Sequence, residues 1–279
     1  MSKDDQIIYT IPNVVAERVC PLEGFSKNPE SMRALDPIYV RWLRRGDAEN
    51  NPKFRQVIPY VVVTARDGDD VKVLRYKRTK KGGESRLHSQ TSIGVGGHME
   101  KFDHDFREAM FREVAMEELS ATHKDGGYSV SFEELGIDAY HMQYCGCIRS
   151  NASEVDKVHL GVVFSLDVSK HSDLIWGSSD SGISEVEMVS IEELPKDDAL
   201  ESWSRLIVNS GDPRTALRPV FPAEPGGRSP VFEWHTTRGV IARPSKHSSY
   251  DYEPVHGETA GMLIQPLSET FERLRLRVE

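Results

Sequence analysis

The chain has 279 residues, a formal net charge of -9 and three cysteines. That length accommodates one large domain or two small ones and buries a substantial core, and apolar and charged fractions of 38% and 28% are ordinary for a soluble globular protein. The acidic balance excludes general nucleic-acid binding, which needs a basic footprint, and no apolar run reaches the ~18 residues that span a bilayer.

Residues 1–54 read as an N-terminal extension packed on the core. The opening, residues 1–8, is polar and acidic and lacks the charged-then-apolar layout of a secretory signal. An odd cysteine count gives no disulfide framework, so a cytoplasmic setting is expected. Residues 32–45 pattern as a helix: Ile38, Val40, Trp42 and Leu43 supply apolar positions, and Arg41, Arg44 and Arg45 suit the negative end of its dipole. Asn50, Asn51 and Pro52 break that pattern. Residues 57–65 are a dense β-branched run, and Asp67-Gly68-Asp69 turns as a hairpin into residues 71–77. Pro59 suits a strand start or an edge better than a central position.

A basic stretch follows, with Arg75, Lys77, Arg78, Lys80, Lys81 and then Arg86. For any one of these a solvated hairpin end is the plainer reading. Arg78 and Arg86 are the substrate-binding candidates, because a guanidinium takes phosphate bidentately. Residues 91–95 read as a strand ended by Gly96-Gly97, and an acid-rich helical segment runs from about residue 103 to residue 120. Helical neighbours lie three and four positions apart, so Glu113 and Glu117 project from one face, one turn apart. Two such carboxylates suit Mg²⁺, which takes oxygen ligands and fills its shell with water and substrate phosphates.

At these residues the chain resembles the Nudix hydrolases. Gly97 fits the leading glycine of their signature, and five residues later Asp103 stands where the family has glutamate. Arg112-Glu113-Val114 fits the Arg-Glu-aliphatic core but arrives one residue late, implying an insertion in the loop or first helical turn. Glu117 fits the second acid of the family's pair, whereas Met116, Leu119 and Ser120 depart from the pattern. A one-residue shift that makes Glu117-Glu118 the pair leaves no Arg-Glu in register upstream, so the first alignment is preferred. The segments 80–88, 93–98, 158–164 and 201–204 are similar to one Nudix subgroup whose motifs do not specify a substrate. The resemblance covers residues 55–210 and implies an α/β fold, the Nudix-type α/β/α sandwich with a mixed sheet. It also implies that Arg112 pairs with Asp103. Arg-Glu-x-x-x-Glu alone is more often a solvated helix face; the strand, the diglycine and the helix in the right order reverse that preference.

Beyond the helix, residues 140–148 and 158–168 read as strands joined by a polar loop. Cys145 and Cys147 flank a glycine and would share one strand face, as paired small hydrophobes rather than a metal or redox pair. A further metal-binding acid has four candidates, Glu154, Asp156, Glu185 and Glu187, with no basis for choosing among them. His98, His104 and His159 titrate near neutrality in isolation, but packing or loop roles fit them better than general base. Residues 192–194 and 199–208 read as helices, with Trp203, Leu206 and Ile207 facing the core. Residues 211–230 have a linker's composition. A hairpin at 231–243, a strand at 262–267 and a helix at 269–278 complete a C-terminal extension, 211–279, suited to a lid, added strands or a homodimer arm.

The chemistry so implied is Mg²⁺-dependent hydrolysis, Mn²⁺ being the alternative ion, of a diphosphate bond in a nucleoside diphosphate linked to another moiety. Glu113 and Glu117 hold the metal, with Arg112 beside them in the catalytic set. Gly96 and Gly97 let the backbone approach the substrate closely. The competing reading keeps the fold without catalysis, as a sensor of a nucleotide-like ligand. A prenyl-diphosphate isomerase lacks the cysteine and acid arrangement it needs.

Overall fold

In the first 48 residues the chain forms β1 (Ile7–Pro12), α1 (Asn13–Val19), β2 (Gly24–Ser26), β3 (Arg41–Arg44) and a helical turn, α2 (Arg45–Ala48). Next come β4 (Phe54–Asp67), β5 (Asp70–Arg78), the short β6 (Thr91–Ser92) and β7 (Val95–Gly96), and then α3 (Phe106–Phe111). After it follow β8 (Leu119–His123), β9 (Ser129–Val130), β10 (Met142–Arg149), β11 (His159–Asp167), β12 (Leu174–Ser178), β13 (Ile183–Ser190), α4 (Ser202–Val208) and α5 (Pro213–Ala216). This computed structural model describes residues 2–221 except 30, 32–34, 36–38, 80–88, 102, 104–105, 126 and 179–181. The chain divides into two units, Met1–Pro230 and Val231–Glu279. The elements expected at 231–243, 262–267 and 269–278 lie outside the described residues, as do Arg86 and His104.

The main sheet runs in the order β13-β5-β4-β11-β10-β2, with β1 and β7 also paired to β4, β3 to β1 and β6 to β5. It is mixed: β11 is parallel to β4, in register from His159 beside Gln56 to Asp167 beside Thr64, while β5 and β10 pair antiparallel. Alternation along β4 sends Tyr60 and Val62 to one face and Val57, Val61 and Val63 to the other. On the first face Tyr60 and Val62 pack with Val73, Val163, Ile207 and Val208, bringing α4 over the sheet. Helix α3 packs against β4 with Phe106, Ala109 and Met110 buried. The result is the expected α/β/α sandwich. A smaller sheet, β12-β8-β9, stands beside it. Among the described residues no helix is long and apolar enough to cross a membrane.

One side of β4 pairs with three partners in succession. Strand β1 takes Phe54 to Gln56, β7 takes Tyr60 and Val61, and β5 takes Thr64 to Asp67. Residues 57–59 fall in the gap. Pro59 therefore lies in the strand interior, not at the start or edge expected for it. A Cβ on Gly96 would meet the Pro59 carbonyl oxygen at 2.4 Å, so this residue's polar atoms face the interruption, where a missing N–H breaks no ladder bond. Past β7 the chain crosses that gap to reach β1, where the Tyr9 N–H donates to the Met99 carbonyl and Ile8 bridges Glu100.

Three local expectations are corrected. Within the helix expected at 32–45, Arg41–Arg44 is instead a strand, paired antiparallel with Ile7–Thr10 and followed by the helical turn at Arg45–Ala48, while residues 32–34 and 36–38 lie outside the described residues. Pairing with a distant strand overrode the local pattern. The sheet register shifts between Tyr144 and Gly146, and this bulge turns the two cysteines to different neighbours. Cys145 meets Ser165 and the Leu217 carbonyl, while Cys147 meets Ser31 and the Val19 carbonyl. Finally, the linker-like composition after residue 211 conceals a short helix. Asp212 caps it, Pro213 opens it, and Ala216 and Leu217 enter the core.

Candidate active site

Helix α3 changes its winding at the acids. From Arg112 to Glu118 it is a π-helix, closed by the Leu119 N–H donating to the Val114 carbonyl five residues back. The described helical segment covers residues 106–118, with residues 104 and 105 outside the described residues, and it ends two residues before the expected 120. A π stretch fits one additional residue into each turn, and here it begins at Arg112, after the one-residue delay. Five-residue spacing also brings Glu118 round beside the Glu113 and Glu117 pair, and all three line one cleft of about 280 Å³.

The cleft's walls come from across the first unit. They include Gly96, Gly97, His98 and Glu100 after β7, Arg112 and the three helix acids, Asp156 and His159 at the start of β11, and Glu201 to Trp203 at α4. Residues 1–54 add Lys3 and Gln6, which the sequence left without a role, and Arg45, read there as charge at a helix end. Gln6 donates to Glu100 at 3.0 Å and accepts from Arg45 at 3.2 Å, tying this segment to the loop after the diglycine.

Arg112 is the hub. Its Nε and Nη2 donate to the two oxygens of Asp103 at 3.0 and 2.9 Å, the pairing that the family resemblance implies, and Nη2 also donates to the His98 carbonyl at 3.0 Å. Its Nη1 donates to Glu113 and to Glu117, each at 2.8 Å. One cationic nitrogen thus stands within reach of both proposed metal-binding carboxylates. The two acids converge on a single point that a positive charge occupies, so the donor set fits a hard divalent ion.

Electrostatics are strained on the acid side and relaxed on the arginine side. Burial pushes the Glu113 carboxyl up to about 7, opposed by Arg112 and reinforced by Glu117 and Glu118. Burial would lower Arg112, but hydrogen bonds to Asp103 and Glu117 and the charge of Glu113 hold it above its ordinary value. Burial, with Arg45, His159 and Arg112 nearby, drives His98 well below the usual imidazole range. His98 therefore stays neutral at physiological pH.

Gly97 has a specific function in this geometry. A Cβ there would lie 2.1 Å from the Glu113 carboxyl carbon, so the missing side chain is what lets Glu113 occupy its place. Gly96 clears Pro59 in the same way. The close approach at both glycines is thus to the protein's own groups. Arg78 lines the cleft, but its Nε donates to Glu201 at 3.2 Å. Glu201 also accepts from Tyr60, Ser92 and Ser204 at 2.7, 2.6 and 3.2 Å. Of the four downstream acids, Asp156 alone lines the cleft, accepting from Trp203, Ser202 and Ser153. Glu154, Glu185 and Glu187 are exposed and pair with Lys157, Lys77 and Arg75. Sequence reasoning missed Glu100 and Lys3, read Glu201 only within the 201–204 segment of the family resemblance, and read Arg45 only as charge at a helix end. It passed over Glu118, whose acidity was plain but whose register was not.

No family model matches the chain. Protein YmaB of Bacillus subtilis (strain 168) is 31% identical over 226 residues, which cover 75% of this chain and 98% of that protein. The crystal structure of Tm1382, described as a candidate Nudix hydrolase, superposes with a TM-score of 0.53 and 27% identity, covering 74% of this chain and 97% of that one. The chain belongs to the Nudix family. Both matches extend well beyond the conserved length of a Nudix box. The Nudix helix here is a π-wound variant that places Glu113, Glu117 and Glu118 on one cleft wall.

Proposed function

We propose that this Nudix protein is a Mg²⁺-dependent hydrolase of a diphosphate bond in a nucleoside diphosphate linked to another moiety, working in the cytoplasm. The observation that carries the reading is the convergence of Glu113 and Glu117 on one cationic point at 2.8 Å each, on a cleft wall shared with Glu118. Glu113 and Glu117 would hold the ion, with Mn²⁺ as the alternative occupant. When bound, it supplies charge neutralisation at phosphorus and a more acidic water. Arg112 fixes the loop from His98 to Asp103 against the helix, so the acids stay aimed while Asp103 balances the guanidinium. Lys3, Arg45 and Arg78 line the same cleft and offer positive charge to phosphate oxygens. Glu118 supplies the third carboxylate that Met116 does not, and is the group we assign to accept the water's proton. That third acid favours catalysis over the ligand-sensor reading. The three cysteines are free and buried, as a reducing compartment requires.

The test is a panel of nucleoside diphosphates linked to sugars, nucleosides or other groups, incubated with Mg²⁺ and the full chain. Release of a nucleoside monophosphate from at least one member is expected, with Glu117→Gln nearly inactive. Ligand-induced thermal stabilisation without turnover across the panel would return the sensor reading.

A further inference from the structure

A second group of metal-binding side chains lies apart from the helix acids. A carboxylate oxygen of Glu49 and one ring nitrogen each of His98 and His159 lie within 4.8 Å of one another. The three come from distant parts of the chain: the end of α2, the loop after the diglycine and the first residue of β11. Only the fold assembles them, through the parallel pairing that sets His159 beside Gln56 and the chain crossing that carries His98 over the gap in β4.

We propose that Glu49, His98 and His159 form a binding site for a divalent transition ion of the Zn²⁺ class. Two imidazoles and one carboxylate suit such an ion, whereas Mg²⁺ prefers an all-oxygen shell. The supporting shell that an imidazole ligand needs is also built. His159 Nδ1 lies 2.7 Å from the Val155 carbonyl, which places its proton there and leaves Nε2 to ligate. Buried Arg55 holds the backbone under it, donating to the carbonyls of Asp156 and His159 at 2.7 and 3.0 Å. The His98 ring is fixed by Gln56, whose amide oxygen stands 2.6 Å from Nε2. Gln56 is fully buried, and its amide nitrogen is without a hydrogen-bond partner among the described residues. A polar recess therefore surrounds the two rings, whose centroids are 5.8 Å apart at 61°, too far for a direct hydrogen bond between ring atoms to organise them. Zinc ligands at ~2.0–2.1 Å from the ion lie closer to one another than 4.8 Å. Binding then draws the set inward. Three protein ligands leave a fourth position for water or a phosphate oxygen, and both imidazoles line the cleft.

Metal-free full-length protein titrated with Co²⁺ reads this site directly through visible absorption. Ligand-field bands of nitrogen-ligated Co²⁺ should appear and saturate at one equivalent. Added Zn²⁺ should erase them, and excess Mg²⁺ should not. His98→Gln and His159→Gln should each abolish the bands, while Glu49→Gln weakens binding on the order of tenfold or more. Glu117→Gln should leave them intact, which separates this site from the helix acids. Should His159→Gln fail to fold by circular dichroism, Glu49→Gln decides alone, because Glu49 sits at a helix end outside the core. No bands in the wild type, or bands that survive in the imidazole variants or are unchanged in Glu49→Gln, would overturn the assignment and leave an adventitious surface ion only.

Discussion

Two carboxylate clusters share the cleft and differ in how their acids are partnered. Around Glu201 every acidic oxygen has a donor: Tyr60, Ser92 and Ser204 reach one oxygen, and Arg78 reaches the other. Tyr60 and Tyr76 beside it are pushed up by burial, and Arg78 is held above its ordinary value by Tyr76 and Glu201 despite its burial. That knot is closed. Around Arg112, among the described residues, one guanidinium serves Asp103, Glu113 and Glu117, with Glu118 close by. Burial, reinforced by Glu117 and Glu118, makes Glu113 hard to ionise there. A buried carboxylate alone does not mark a metal site. Several carboxylates converging on one cleft wall suit a metal better, because a divalent cation can be shared among them.

The largest effect expected from breaking that contrast is on the Arg112 side. Glu117→Gln should lower turnover on an active panel substrate by at least on the order of 100-fold, the upper end of what even outer-shell partners cost. The melting temperature without metal should hardly fall, since half of the Glu117 side chain is exposed. On the closed side the pattern should invert. Glu201→Gln leaves Arg78 buried beside a neutral amide and should cost about 3–5 kcal/mol, seen as a melting point roughly 10 °C lower. Activity per folded molecule should change far less than in Glu117→Gln. If Glu201→Gln abolishes turnover while leaving stability untouched, the division of labour between the clusters is wrong.

A smaller effect sharpens the steric part of the comparison. In Gly97→Ala the new methyl would meet the Glu113 carboxyl carbon at 2.1 Å, so the acid must swing away. A displacement near 1 Å predicts a loss of roughly 10- to 100-fold in activity. Thermal stability should fall little, because the clash is with a side chain and not with backbone.

How far all this was legible in the sequence depended on whether local pattern or distant contact decided the outcome. The β-branched run around Val61, the turn at Gly68 and the strands of Cys147 and Val163 were readable, because burial on a sheet imposes alternation and turns demand glycine. The Gly97, Arg112, Glu113 and Glu117 sequence stood out through spacing. Spacing could not show the π winding, since the same residues fit an α-helix locally and only packing between β7 and β8 selects the wider turn. Spacing put the one-residue delay in the loop or first helical turn, and Glu118 was set aside because a Glu117-Glu118 pair left no Arg-Glu in register upstream. Residues 41–44 were read as helix because their strand partner, Ile7–Thr10, lies far back in the chain. Lys3 and Glu49 had no signal at all, and Arg45 had only that of a helix-end charge; their roles exist only once β1 and β3 bring the N-terminal segment to the cleft.

The last and smallest effect concerns pH. Burial and neighbouring acids raise Glu113 to about 7 from an ordinary 4.5, so in the metal-free protein it is protonated across much of the interval between those values. The folded state then binds more protons than the unfolded chain in that interval, and Glu113 makes the metal-free protein more stable as pH falls from 7 toward 4.5. Metal binding responds in the opposite sense, because a ligand must lose its proton first. Below about pH 7 the apparent affinity for Mn²⁺, used as a reporter for Mg²⁺, should fall by up to about tenfold per pH unit for one displaced proton. The metal-induced rise in melting temperature should shrink from pH 8 to pH 6. Glu113→Gln should bind weakly at every pH with that dependence flattened. An affinity that stays level in the wild type over the same range would mean that Glu113 is ionised without help, and that the convergence of carboxylates around Arg112 is not what draws the ion in.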